Sequence, residues 1–80
     1  MSIFILSHRH SETECAAAFA AWAGTDSPLR GDRALAGCEL GDHQVFWRVE
    51  AASVDDALAL LPDYVAARTT VTAVRNVVIP

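Results

Sequence analysis

The sequence predicts an α+β domain with the element order βαββαβ. Three observations carry that reading. A short apolar run opens the chain, each half contains a capped helical stripe, and a Gly-Asp turn separates two strand-like runs in the middle.

Residues 2–7 read as the first strand. Ile3, Phe4, Ile5 and Leu6 are consecutive apolar residues, the pattern of a central strand covered on both faces. His8, Arg9 and His10 follow at its end. Ser11-Glu12-Thr13-Glu14 has the form of a capping box, so a helix is expected from Ser11. Cys15, Phe19, Trp22 and Ala23 recur at helical spacing, which predicts a stripe facing the sheet. Gly24 suits a C-cap, and residues 25–33 form a polar loop broken by Pro28 and Gly31.

Residues 34–40 are expected as the second strand, though rich in small residues and weak in propensity. Gly41-Asp42 fits a two-residue type II′ turn. Residues 43–51 form the third strand, in which Val45, Trp47 and Val49 alternate with Phe46, Arg48 and Glu50. The first set is expected to face the helices, and the second an open face or a dimer contact. Ser53 should cap a second helix whose buried stripe is Val54, Ala57, Leu58, Leu61 and Val65. Pro62 predicts a kink, or a break and restart, near Leu61. Residues 69–79, rich in Val and Thr, complete the set as the fourth strand.

The simplest packing of this order is a four-stranded antiparallel sheet, strand order 4-1-3-2, with both helices on one face. That is a ferredoxin-like sandwich. In it the exit of strand one lies at the same sheet edge as the turn between strands two and three. His8, His10, Cys38 and His43 therefore converge there, and they are the expected metal ligands, with Glu39 as an alternative to Cys38. Imidazole together with thiolate or carboxylate suits Ni, Zn or Cu rather than Ca or Mg. Arg9, Trp47 and Tyr64 are the expected contacts for a small ligand, Arg9 beside the free amides of the first helix and the aromatics lining a pocket.

The chain has 80 residues, enough for one domain near the lower size limit of a self-sufficient core. Its hydrophobic fraction of 52% exceeds the roughly 45–50% of an average domain, which favours a second copy covering part of the surface. A homodimer formed through the sheet is the expectation. The formal net charge is −4, and the six basic residues are all Arg, scattered without a stripe. That pattern argues against nucleic-acid binding, and the absence of Lys excludes Schiff-base chemistry. No run approaches the roughly 20 residues that span a bilayer, and the opening run is too short for a secretory signal. A cytoplasmic setting with Cys15 and Cys38 reduced is expected. Cys15 is read as a small core residue, and the two thiols are too distant in sequence to form a C-x-x-C pair. There is no P-loop, nucleotide fingerprint or nucleophile elbow.

The strand ending in His8, the hairpin into Val45-Phe46-Trp47, the Val49-Glu50-Ala51 segment before a capped helix, and the closing Val77-Val78-Ile79 together resemble the dimeric α+β barrel superfamily. Within it the chain looks like small bacterial proteins that include nickel-binding members. Its layout is also similar to that of muconolactone-isomerase-like and antibiotic-monooxygenase-like proteins. Three functions follow as alternatives. One is a binding protein holding a transition metal or small ligand. The second is a cofactor-independent enzyme using a His as general acid or base in a dimer cleft. The third is a non-catalytic interaction module.

Overall fold

The computed structural model describes residues 1–80. It is an α+β fold built on one four-stranded antiparallel sheet. The strands are β1 (Ser2–Arg9), β2 (Leu35–Ala36), β3 (Gln44–Ala51) and β4 (Thr69–Val74). Their order across the sheet is β2-β3-β1-β4, which is 4-1-3-2 counted from the other edge. The helices are α1 (Cys15–Ala20), α2 (Val54–Leu58) and α3 (Asp63–Ala66), with short 3₁₀ turns at Glu12–Glu14 and Cys38–Leu40.

β1 is the centre of the fold. It pairs with β3 through Phe4↔Val49, Leu6↔Trp47 and His8↔Val45, and with β4 through Leu6↔Val71 and His8↔Thr69. Alternate side chains point to opposite faces of a strand, so Phe4, Leu6 and His8 share one face. All three are buried there, whereas Ile3, Ile5 and Ser7 on the other face are only half covered. The expected cover on both faces of β1 is therefore present on one. The apolar core joins Phe4 and Leu6 to Val49, Ala51, Ala57, Leu61 and Val65, with Trp22, Trp47 and Tyr64 packed against it.

Local chemistry explains where the elements start and stop. The Ser11 amide donates to the Glu14 carboxylate at 2.9 Å, which fixes the turn leading into α1. That turn is 3₁₀ rather than α, with three residues per turn instead of 3.6. The covered stripe of the segment runs through Cys15, Ala18 and Trp22, spaced three and four residues apart, and Phe19 falls at its edge. Ala18 is buried, while Phe19, expected inside, is 59% exposed. Ser53 Oγ accepts from the Asp56 amide at 3.1 Å and caps α2. The helix stops before Pro62 and restarts as α3, and Ser27 Oγ donates to the Leu60 carbonyl freed at the break. Val54 sits on the outer side of the first turn of α2 and is half exposed, outside the stripe assigned to it.

Three expected boundaries change. The second strand is two residues long rather than seven. Its side chains, Leu35 and Ala36, are both exposed, so no burial holds the chain extended. The two-residue hairpin turn is absent. Instead the Gly37 carbonyl accepts from the amides of Leu40 and Asp42, and Gly41 closes the 3₁₀ turn at φ +91°. β4 ends at Val74, opposite Ile3, so residues 75–79 continue past the sheet without a partner strand.

Candidate metal centre

Four donor side chains converge beyond the end of β1. His10 follows that strand, and its backbone amide donates to the His43 carbonyl at 3.1 Å, prolonging the β1–β3 ladder by one bond. That bond sets the two residues side by side, with ring centroids 5.5 Å apart. Cys15 is the first residue of α1. Cys38 opens the 3₁₀ turn of the β2–β3 connection. One donor atom from each of His10, Cys15, Cys38 and His43 lies within 4.8 Å of all the others, so the group could hold a metal ion. A tetrahedral ion with bonds of about 2.0–2.3 Å would set its donors about 3.3–3.8 Å apart, so the wider separations here would have to close around it.

The surroundings fit such a group. His10 is 4% exposed, and the other three residues are half-buried. His10 Nε2 stands 3.7 Å from Cys38 Sγ. Nδ1 of His10 and Nδ1 of His43 are both buried without a hydrogen-bond partner. Burial, followed by the neighbouring Cys15 thiol, pushes the Cys38 thiol up from its ordinary range. A cation is what this pair of thiols would need to ionise together.

Of the residues expected at the metal, His10, Cys38 and His43 lie in the group. His8 does not. Its ring is 5.1 Å from that of His10, but its Nδ1–H donates inward to the Val65 carbonyl at 3.2 Å. Burial lowers its pKa, which favours the neutral ring. Cys38 reaches the group from a 3₁₀ turn, not from the strand assigned to it. Glu39 beside it is exposed and outside the group.

Cys15, read from the sequence as core packing, is the fourth member. The sequence does carry a signal for it: His10-x₄-Cys15 and Cys38-x₄-His43 are mirror-image pairs with equal spacing. Two such short-range pairs are the form in which structural zinc sites commonly supply ligands.

The residues expected to bind a small ligand are not gathered. Arg9 is exposed, and its backbone amide donates to the Arg68 carbonyl. Trp47 packs on Trp22 with ring centroids 5.8 Å apart. Tyr64 lies beneath the Arg68 guanidinium, 3.8 Å from its ring centre, and its hydroxyl is 3.4 Å from Glu14 Oε2. Arg68 Nε also donates to Glu14 Oε2 at 3.1 Å, so Tyr64, Arg68 and Glu14 form a bracket between α3 and the entry to α1.

No helix is long and apolar enough to cross a membrane. Comparison with protein-family models, curated proteins and solved structures gives no match for this chain.

Proposed function

We propose that this protein is a small metal-binding domain that holds one transition-metal ion, with Zn²⁺ the first choice, on His10, Cys15, Cys38 and His43. The observation that carries the reading is the convergence of two thiols and two imidazoles from three separate segments within 4.8 Å. A Cys₂His₂ set favours Zn²⁺ over Ni²⁺ and Cu²⁺ in a tetrahedral arrangement, and it is a poor host for Ca²⁺ or Mg²⁺. Four protein donors leave no open position for a substrate, so the ion serves structure or binding rather than hydrolysis. The need for such a staple is visible in the core, where only 11 of 80 residues are buried. A metal here would tie the exit of β1, the start of α1 and the β2–β3 connection together. A reducing compartment, as in the cytoplasm, is the setting in which both thiols stay available.

The test is a titration of the reduced protein with Co²⁺ and Zn²⁺, with elemental analysis of freshly purified material. One equivalent should bind, with the thiolate charge-transfer and tetrahedral visible bands of Co²⁺, and Zn²⁺ should displace it. Cys15→Ser and Cys38→Ser should each abolish those bands. Absence of both bands and stoichiometric metal from the parent protein removes this reading.

The fold supports two further parts of the proposal. The βαββαβ order and the antiparallel sheet support a ferredoxin-like reading and, with it, the dimeric α+β barrel resemblance. The other face offers a surface for a second copy. Leu35 and Phe46 are cross-strand neighbours there, Ile5 lies beside Arg48, and Ile3 lies between Glu50 and Val74. Leu35, Phe46 and Val74 are exposed, and Arg48 and Glu50 supply opposite charges that a two-fold axis can pair. Sedimentation should show a dimer that Phe46→Glu converts to monomer. A monomer in the parent protein at high concentration refutes the dimer and leaves the metal site untouched.

A further inference from the structure

His8 is the most deeply buried polar side chain, 1% exposed, yet it is not among the four donors. A carbonyl only accepts, so the 3.2 Å contact with the Val65 oxygen places a proton on His8 Nδ1. Nε2 of the neutral ring then carries a lone pair. It is buried and has no hydrogen-bond partner. His10, two residues on, has the complementary problem. Its Nε2 faces Cys38 Sγ, and its buried Nδ1 has no partner. Orphaned buried polar atoms are rare and costly, and here one acceptor and one nitrogen able to donate occur on rings 5.1 Å apart.

Both rings line one recess of about 30 Å³, otherwise walled by apolar side chains including Ala18, Val45 and Trp47. A recess of that size admits a water, which is held when at least two polar partners are in reach. His8 and His10 are the two polar residues that line it.

We propose that His8 is a positioning residue for the metal centre. One water in this recess accepts the Nδ1 proton of His10 and donates to His8 Nε2, so that His10 presents Nε2 to the metal. The chain of donors is then complete: His10 Nδ1–H to water, water to His8 Nε2, and His8 Nδ1–H to the Val65 carbonyl. Every member has a fixed role because the last acceptor cannot reverse. Metal-ligating histidines commonly need such an outer partner to fix ring and tautomer. The proposal rests on the metal-centre reading for its purpose, but the tautomers can be measured without metal.

The experiment has two arms. Long-range ¹H–¹⁵N correlation of the imidazoles in the metal-free protein should show the Nδ1–H tautomer for both His8 and His10, and Zn²⁺ should shift His10 Nε2. An Nε2–H tautomer for His8, or Zn²⁺ on His10 Nδ1, overturns the proposal. In the second arm Zn²⁺ affinity is measured for His8→Leu and His8→Gln. The Val65 carbonyl keeps the Thr69 hydroxyl and the Arg68 amide, so loss of His8 strands no acceptor there. His8→Leu should weaken Zn²⁺ about 10–100-fold, and His8→Gln, whose side-chain oxygen can accept, should recover part of that. Equal affinity in parent and His8→Leu overturns the proposal. If His8→Leu does not fold, the tautomers and His8→Gln decide. A parent protein that binds no Zn²⁺ refutes the metal centre instead, while the metal-free spectra still decide whether His8 and His10 are linked.

Discussion

Cys38 Sγ lies 3.7 Å from His10 Nε2 although 28 residues separate them. The contact depends on two backbone devices. One is the His10-to-His43 amide bond that extends the β1–β3 ladder, and the other is the 3₁₀ turn that begins at Cys38. Each brings one member of a donor pair to the same place from a different segment of chain.

Metal removal is the first consequence. An ion bound only by the folded state stabilises it by about 2.7 kcal/mol at a free concentration 100 times Kd. For a domain of this size that corresponds to roughly 10–20 °C in Tm. Calorimetry with Zn²⁺ and then with excess chelator should show a rise and its reversal. An unchanged Tm means that the four donors do not act as one site.

Gly37 should be intolerant of a side chain. A Cβ placed there would lie 2.5 Å from the Asp42 carbonyl oxygen and 3.3 Å from Asp42 Cβ. Gly37 also anchors the connection, its amide donating to Gln44 and its carbonyl accepting from Leu40 and Asp42. Gly37→Ala must therefore push apart the segment between Cys38 and His43, at a cost of about 1–3 kcal/mol. Metal affinity should fall in Gly37→Ala, whereas Gly24→Ala, strained by its φ of +77° but far from any close contact, should lose stability and keep its affinity. Equal metal affinity in Gly37→Ala and the parent would show that the turn does not position the donors.

Acid stability should report on Glu14. The Ser11 amide first, then the Arg68 guanidinium and the Ser11 hydroxyl, hold its carboxyl down to about 2 from an ordinary 4.5. A depressed folded-state pKa stabilises the fold above the unfolded value, and that contribution is lost as pH falls toward the folded one. Stability of the metal-free protein should decline from about pH 4.5 to about pH 2. Glu14→Gln should flatten the decline in urea titrations across that window. An identical slope in both proteins would remove the Glu14–Arg68 bracket as a stabilising element.

Leu61 tests the core. It is 4% exposed at the break between α2 and α3 and belongs to the apolar cluster on β1 and β3. Leu61→Ala should cost about 2–5 kcal/mol, a large share of the 5–15 kcal/mol typical of a whole domain. Val54→Ala, half exposed, should cost well under 1 kcal/mol by the same urea measurement.

Much of this architecture is legible in local pattern. The apolar run of β1, the alternation of β3, the Ser53 cap and the Pro62 break each act over a few residues, and each occurs where the pattern places it. The readings that shift depend on what lies opposite. In residues 34–40 the large side chains Leu35 and Leu40 find nothing to bury them, so backbone hydrogen bonding curls the end of that segment into a turn. Phe19 turns outward because the covered stripe runs through Cys15, Ala18 and Trp22, which leaves Phe19 at its edge. Residues 75–79 have strand-forming composition but no neighbour to pair with.

By itself the sequence determined the order of elements, the caps and the stock of possible ligands: three histidines and two cysteines. Only the tertiary structure decided which of them meet. His8 and His10 share a strand face, yet a carbonyl 57 residues away turns one inward as a neutral hydrogen-bonding group. The other is left beside Cys38. Cys15, read as a packing residue, joins the group because the entry to α1 lies against the β2–β3 connection. Spacing along a chain fixes the face from which a side chain leaves, but its chemistry is set by the groups that distant segments bring to it.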